Sequence, residues 1–189
     1  MIKIGILGAI GSGKSYIAKN FGYPVFNADL EVSKLYKNDK KIYDKLKKNL
    51  SKYIYSFPVN KNEISKAILA NKSNLSKIVK IVHIEVRRKM HIFLKKNKNK
   101  KIVILDIPLL LENKINNKED ILVFVESKKK DIFKRLKKRN NFNQKLLNKF
   151  KDIQLPLDYK KKKSNFIIKN NFTKKSVKRA INEILKEII

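Results

Sequence analysis

This chain of 189 residues contains no cysteine and no tryptophan, and glycine, proline, alanine and arginine are scarce at 5, 4, 6 and 5 copies. Without cysteine there is no disulfide, no thiolate nucleophile and no sulfur-ligated metal. Long apolar runs are missing too. The most apolar stretch, 102–111, is interrupted by Asp106 and Pro108 and falls far short of the roughly 20 residues a helix needs to cross a bilayer. No membrane partner is therefore expected. The apolar opening ends at Gly8 in a glycine-rich turn followed by Lys14, unlike a secretory leader, so the sequence predicts a cytoplasmic protein. At 42% hydrophobic the chain can build a core, which excludes a wholly disordered basic tail. Its length predicts one domain, 1–189, with small insertions.

Acidic residues are also few, 16 against 47 lysines and arginines, for a formal net charge of +31. Such an excess points first to nucleic acid, because clustered cations neutralise phosphates and release counterions. Lysine, isoleucine and asparagine, however, make up 89 of the 189 residues. These have AT-rich codons, whereas the scarce glycine, alanine, arginine and proline have GC-rich ones. Base composition that loads lysine onto solvent-tolerant positions accounts for most of the charge, which speaks to solubility and non-specific binding and not to fold. No specific nucleic-acid partner is expected. Against this background a retained glycine or arginine is more informative than a lysine.

Four of the five glycines fall within the first 13 residues, directly after the apolar run Ile2-Lys3-Ile4-Gly5-Ile6-Leu7. That run has the β-branched content of a buried parallel strand. Next comes Gly8-Ala9-Ile10-Gly11-Ser12-Gly13-Lys14-Ser15, which satisfies the P-loop pattern G-x-x-x-x-G-K-[ST]. Glycines let the backbone turn its N–H groups around phosphate oxygens, Lys14 reaches the β- and γ-phosphates, and the Ser15 hydroxyl can hold Mg²⁺. A helix over 14–21 is expected, with Ile17, Ala18 and Phe21 on its buried face and its N-terminal dipole aimed at the phosphates.

Further strands are read at 23–26, 101–105, 121–125 and 166–168. Asp29 lies just beyond the second and Asp106 closes the third. Strand carboxyl ends gather ligands in an open α/β sheet, so Asp106 is either a Mg²⁺ or water ligand or a strand-end turn residue. Between the second and third strands, 34–100 shows helical spacing in Tyr43, Leu46, Leu50 and in Leu75, Ile78, Val79, Val82, Val86, Met90, Phe93. That is too much chain for one crossover and predicts an inserted helical subdomain. Arg135 and Arg139 stand one turn apart on a helix expected over 128–139, so they are expected to share a face. The lysine tetrad 160–163 reads as a solvated turn.

The P-loop start, Val25-Phe26-Asn27-Ala28-Asp29, Ile107-Pro108-Leu109-Leu110-Leu111-Glu112, and the Arg135 and Arg139 pair followed by Gln154-Leu155-Pro156 together resemble the dephospho-coenzyme A kinase family, nearly end to end. The resemblance implies an α/β P-loop kinase fold with a five-stranded parallel sheet flanked by helices, an acceptor-binding helical insert over 34–100, and a short lid within 128–158. It implies ATP with Mg²⁺, and transfer of phosphate to the ribose 3′-hydroxyl of dephospho-CoA, the last step of coenzyme A synthesis. Nucleotide contacts are implied for Gly8, Ile10, Gly11, Ser12, Gly13, Lys14, Ser15 and Tyr16, with Ser15 and Asp106 on the metal.

The same resemblance makes Asp29 the general base beside Lys14 and Arg139 as catalytic groups, and places His83, Pro108, Leu109 and Glu112 with Asp29 on the acceptor. The first aspartate of the family's Asp-Ala-Asp motif is Asn27 here. An arginine usual four residues after the base is Ser33, with Lys34 next to it, and the proline usual after the histidine is Ile84. Read without the family, His83 at helical spacing is a structural histidine, Glu112 either orients a lid or substrate group or is a cap or ion-pair partner, and Arg135 belongs either to the lid face or to a solvated one. A monomer or weak homo-oligomer is expected. The remaining readings are a nucleoside or nucleotide kinase of the same fold and a basic nucleic-acid-binding ATPase, although no aromatic-basic interleaving marks a stacking platform. The charge predicts weak non-specific binding to DNA that disappears by about 0.5 M salt, checked by a salt titration of anisotropy on a labelled duplex.

Overall fold

The computed structural model describes residues 1–140 and 142–189. These form two compact units, one of 1–27, 97–142 and 154–189, the other of 28–96 and 143–153.

The first unit is an α/β sheet structure. Its strands are β1 (Ile2–Gly8), β2 (Val25–Asn27), β3 (Ile102–Asp106), β4 (Ile121–Glu126) and β5 (Phe166–Lys169), and its helices are α1 (Lys14–Asn20), α6 (Lys129–Lys137), α8 (Leu157–Lys162) and α9 (Lys174–Ile188). All strand pairs are parallel, in the order β2-β3-β1-β4-β5. Near-continuous apolar strands suit a parallel sheet covered on both faces. Alternation sorts the side chains: Ile4, Ile6, Ile104, Val123 and Val125 share a cluster with Ile17 and Ala18 of α1 and with Val177, Ile181 and Ile184 of α9. Each fully buried side chain of this size contributes roughly 1.5–3 kcal/mol. On the opposite face Leu110 approaches β1 so closely that a Cβ on Gly5 would meet its Cδ2 at 2.5 Å. A larger residue there would require the Leu110 side chain to shift.

The expected five parallel strands are present, each within two residues of where the sequence put it. The lysine tetrad is a correction. Lys160 on α8 is 1% exposed and Lys161 pairs with Glu126 at 2.6 Å, so the first residue of that run is core and not solvated turn. Composition could not separate it from its neighbours.

The second unit is helical: α2 (Ala28–Asn38), α3 (Lys40–Asn49), α4 (Lys61–Ala70), α5 (Lys72–Lys96) and α7 (Gln144–Asp152). The long α5 buries Leu75, Ile78, Val82, Val86 and Met90, a stripe at the helical period. The unit therefore begins at Ala28 and takes in α7, whereas α6 belongs to the sheet unit. Asp39 and Asn143 cap α3 and α7 by accepting from Ile42 N and Leu146 N, satisfying otherwise orphaned donors. Among the described residues no helix is long and apolar enough to cross a membrane.

Buried Glu63 of α4 holds the preceding loop. Its carboxylate accepts from the amides of Tyr55 and Ser56 at 3.0 and 3.3 Å and from the Ser56 hydroxyl. Burial alone pushes this carboxyl up, but the Ser56 hydroxyl, the two amides and the nearby Lys66 outweigh it, and its pKa lies below the ordinary value. A depressed folded value contributes stability that is present above the unfolded pKa, about 4.3, and is lost as pH falls through the folded one. Glu63→Gln should lower stability at pH 7 by about 1–3 kcal/mol, and the gap from wild type should narrow below about pH 4. Urea unfolding at several pH values checks both.

Candidate active site

The site begins where β1 runs out. Gly8 has φ 139°, and a Cβ there would meet the Val125 carbonyl oxygen at 2.6 Å, so the strand can turn there only as glycine. The chain then closes a tight turn, with Ser12 N donating to Ala9 O at 3.1 Å, and enters α1 through Gly13 as N-cap. The loop amides and the helix dipole converge at this N-terminus, a ready anion site. Lys14 Nζ lies over the loop and donates to Gly8 O at 3.1 Å and Ala9 O at 2.9 Å. Ser15 and Tyr16 are exposed in the first turn of α1, and Ser12 is buried. The eight residues expected at the nucleotide thus form one continuous strand-loop-helix cradle. Leu136 of α6 packs at Gly11 from outside.

Two neighbouring strand ends supply the polar partner. Asp106, the last residue of β3, is 3% exposed and lies in register with Asn27 of β2. Asn27 Nδ2 donates to Asp106 Oδ2 at 2.6 Å. This buried, oriented carboxylate and the Ser15 hydroxyl are hard oxygen donors. Among the described residues no three His, Asp or Glu side chains cluster as a metal cage. The donor set fits Mg²⁺, which takes one or two protein oxygens and completes its shell with phosphates and water.

After β3, Pro108, Leu109 and Glu112 lie in a turn that Leu110 anchors in the core, with Asn113 N donating to Leu109 O at 3.1 Å. Glu112 Oε1 accepts from Lys160 Nζ at 2.5 Å and from Leu155 N at 3.0 Å. Glu112 therefore stands in a buried ion pair that ties the turn after β3 to α8 and to the Gln154-Leu155-Pro156 segment.

The arginines differ from the expected common face. Helix α6 ends at Lys137 with Lys138 as its C-cap, and Arg139 lies beyond it, exposed, its N–H donating to Leu136 O and its carbonyl accepting from Phe142 N. Arg135 remains on the helix, its guanidinium 4.3 Å from the centroid of the Phe172 ring, a cation–π contact.

Asp29 and His83 belong to the helical unit. Asp29 is exposed in the first turn of α2, and its carbonyl accepts from the Ser33 hydroxyl at 3.0 Å. His83 sits mid-helix on α5, with its Nε2 buried and without a hydrogen-bond partner. Burial, and secondly the Arg87 charge, hold its pKa below the usual histidine value, so the ring is neutral at pH 7.

Sequence reasoning read Lys160 as solvated and passed over Ser127 and Asn170. The last two converge on the P-loop from the ends of β4 and β5, and their only sequence signal was a polar residue just past an apolar strand.

The sequence profile of the dephospho-CoA kinase family matches residues 2–176. The dephospho-CoA kinase of Wolbachia pipientis wMel is 36% identical over 187 residues, covering 96% of this chain and 95% of its own. Among solved structures, a Thermus thermophilus protein superposes with TM-score 0.77 at 24% identity, over 100% of this chain and 98% of that one. The dephospho-CoA kinase from Campylobacter jejuni does so with TM-score 0.63 at 20% identity, over 98% and 96%.

Breaking the Glu112–Lys160 pair leaves an uncompensated buried charge. Lys160→Met should cost about 3–5 kcal/mol in urea unfolding, and adding Glu112→Gln should recover part of the loss.

Proposed function

Since this chain belongs to the dephospho-CoA kinase family, we propose that it transfers the γ-phosphoryl group of ATP to the ribose 3′-hydroxyl of dephospho-CoA, yielding coenzyme A and ADP. The observation that carries this reading is the complete P-loop cradle, with buried Asp106 at a neighbouring strand end, in a chain matched to the family over residues 2–176.

The roles follow from the chemistry of each group. The loop amides and the α1 N-terminus bind the donor phosphates, and Lys14 exchanges its loop carbonyls for β- and γ-phosphate oxygens. Ser15 and Asp106 would hold Mg²⁺, which would supply charge neutralisation on the phosphates. Asp29 accepts the proton of the acceptor hydroxyl as its oxygen bonds to the γ-phosphorus and the bond to the β,γ-bridging oxygen breaks. Arg139 neutralises charge on the group in transfer. Tyr16 and Ile10 border the nucleotide, while Pro108, Leu109 and neutral His83 contact the acceptor. Glu112 acts on the acceptor side through its hold on the turn that carries Pro108 and Leu109. The helices of 28–96 serve as the acceptor-binding part and 128–158 as the lid. The place of action is the cytoplasm.

A coupled assay of ADP release tests the reading. Wild type should turn over with dephospho-CoA in preference to nucleosides and nucleoside monophosphates, Lys14→Ala should abolish most of that turnover, and Asp29→Asn should lower kcat by about 10²-fold or more. Absence of turnover on dephospho-CoA overturns the acceptor, and an unchanged kcat in Asp29→Asn removes the base.

A further inference from the structure

We infer that Asn170, together with Ser127, is a positioning residue for the donor nucleotide, acting through the Ser12–Gly13 peptide of the P-loop. The inference rests on the kinase reading for the identity of the ligand and goes beyond it in assigning two residues outside the motif.

The Ser12 carbonyl oxygen accepts two hydrogen bonds, one from Asn170 Nδ2 at 2.8 Å and one from Ser127 Oγ at 2.9 Å. Both lone pairs of that oxygen are thereby engaged. A trans peptide is planar, so its N–H points opposite to its C=O. Fixing the Ser12 oxygen on the side of β4 and β5 fixes the Gly13 N–H in the opposite direction. Gly13 is the N-cap of α1, so this N–H is among the donors that meet an anion at the helix start.

Asn170 is itself held. It is 4% exposed, its Oδ1 accepts from Phe172 N at 2.9 Å, and its own N–H donates to Glu126 O at 2.7 Å. These contacts settle the orientation of the amide, since the reverse one would set Oδ1 against the Ser12 oxygen. The side chain also fills the space beside Gly13, where a Cβ would come within 2.5 Å of Nδ2. Gly13 is at φ 95°. The motif's third glycine thus answers two demands, a left-handed backbone and room for Asn170.

Two variants separate positioning from simple packing. Asn170→Asp keeps the volume and the acceptor for Phe172 N, loses the donor to Ser12 and adds a negative charge beside the Ser12 oxygen. Ser127→Ala removes the second donor and adds no charge. Calorimetric titration of the full chain with ADP should show affinity weakened about tenfold or more in Asn170→Asp and at least about threefold in Ser127→Ala, with the KM for ATP rising in step and the KM for dephospho-CoA within twofold of wild type. ADP affinities within twofold of wild type in both variants overturn the inference, whatever happens to thermal stability. So does a loss confined to Asn170→Asp, which charge repulsion alone would give, or an equal rise in both KM values. Should Asn170→Asp not fold, Ser127→Ala decides by itself. Wild type that binds no ADP overturns the kinase reading and this inference together. Wild type that binds ADP but leaves dephospho-CoA unphosphorylated overturns the acceptor alone and leaves the inference to the two variants.

Discussion

Parallel pairing of β1 with both β3 and β4 is the constraint from which the site follows. Because every strand runs the same way, all five carboxyl ends lie along one edge of the sheet, and whatever follows each strand is delivered there. Gly8, Asn27, Asp106, Glu126 and Lys169 are those five ends. An antiparallel sheet of the same sequences would have scattered the same residues over two edges. The apolar faces that hold the strands in this arrangement are fixed by alternation, so the polar edge is a consequence of the core.

Two layers of interaction then convert an edge into a site. The inner one is backbone: the turn through Gly8 and Gly13 presents amides and a helix dipole, which any polyanion would satisfy. The outer one is side chain to backbone or side chain to side chain. Asn170 and Ser127 grip a loop carbonyl, Asn27 orients Asp106, and Glu112 ties the turn after β3 to Lys160. Each outer contact joins residues far apart in sequence, and each is buried or half-buried, where a misplaced polar group costs most. Of these contacts, those of Asn170 and Ser127 reach the loop itself, and the other two hold the chain at and after the end of β3.

This division explains what could be read from the sequence. The cradle was legible because its meaning is local: the strand, the glycines, Lys14 and Ser15 are consecutive, and their chemistry follows from spacing. The five strands were legible from apolar runs. The outer layer was not, since the one local signal at Asn170, a polar residue just past an apolar strand, does not say what it will touch, and nothing local separates Lys160 from Lys161 through Lys163. Their roles come from the partners that folding brings near. The shared face expected of Arg135 and Arg139 failed for a related reason. Charged residues at helical spacing do not specify where a helix ends, and α6 stops at Lys137.

The excess of lysine and the change at position 27 both show how a biased composition is accommodated. Lys3 pairs with Asp120 at 3.1 Å and Lys161 with Glu126, yet with 16 acidic residues for 47 cationic ones most cations have no carboxylate to meet and are left to solvent. The surface tolerates this because a hydrated ammonium needs no protein partner. The site edge does not tolerate substitution so freely. At position 27, where the resemblance implies aspartate, the asparagine amide lies 2.6 Å from the Asp106 carboxylate. An aspartate there would set a second carboxylate against the first, with a proton or a cation required between them. The amide donates instead, so Asp106 stays oriented by a neutral neighbour. Gly13 and Asn170 are constrained in another way, since a Cβ on Gly13 would meet Asn170 Nδ2 at 2.5 Å.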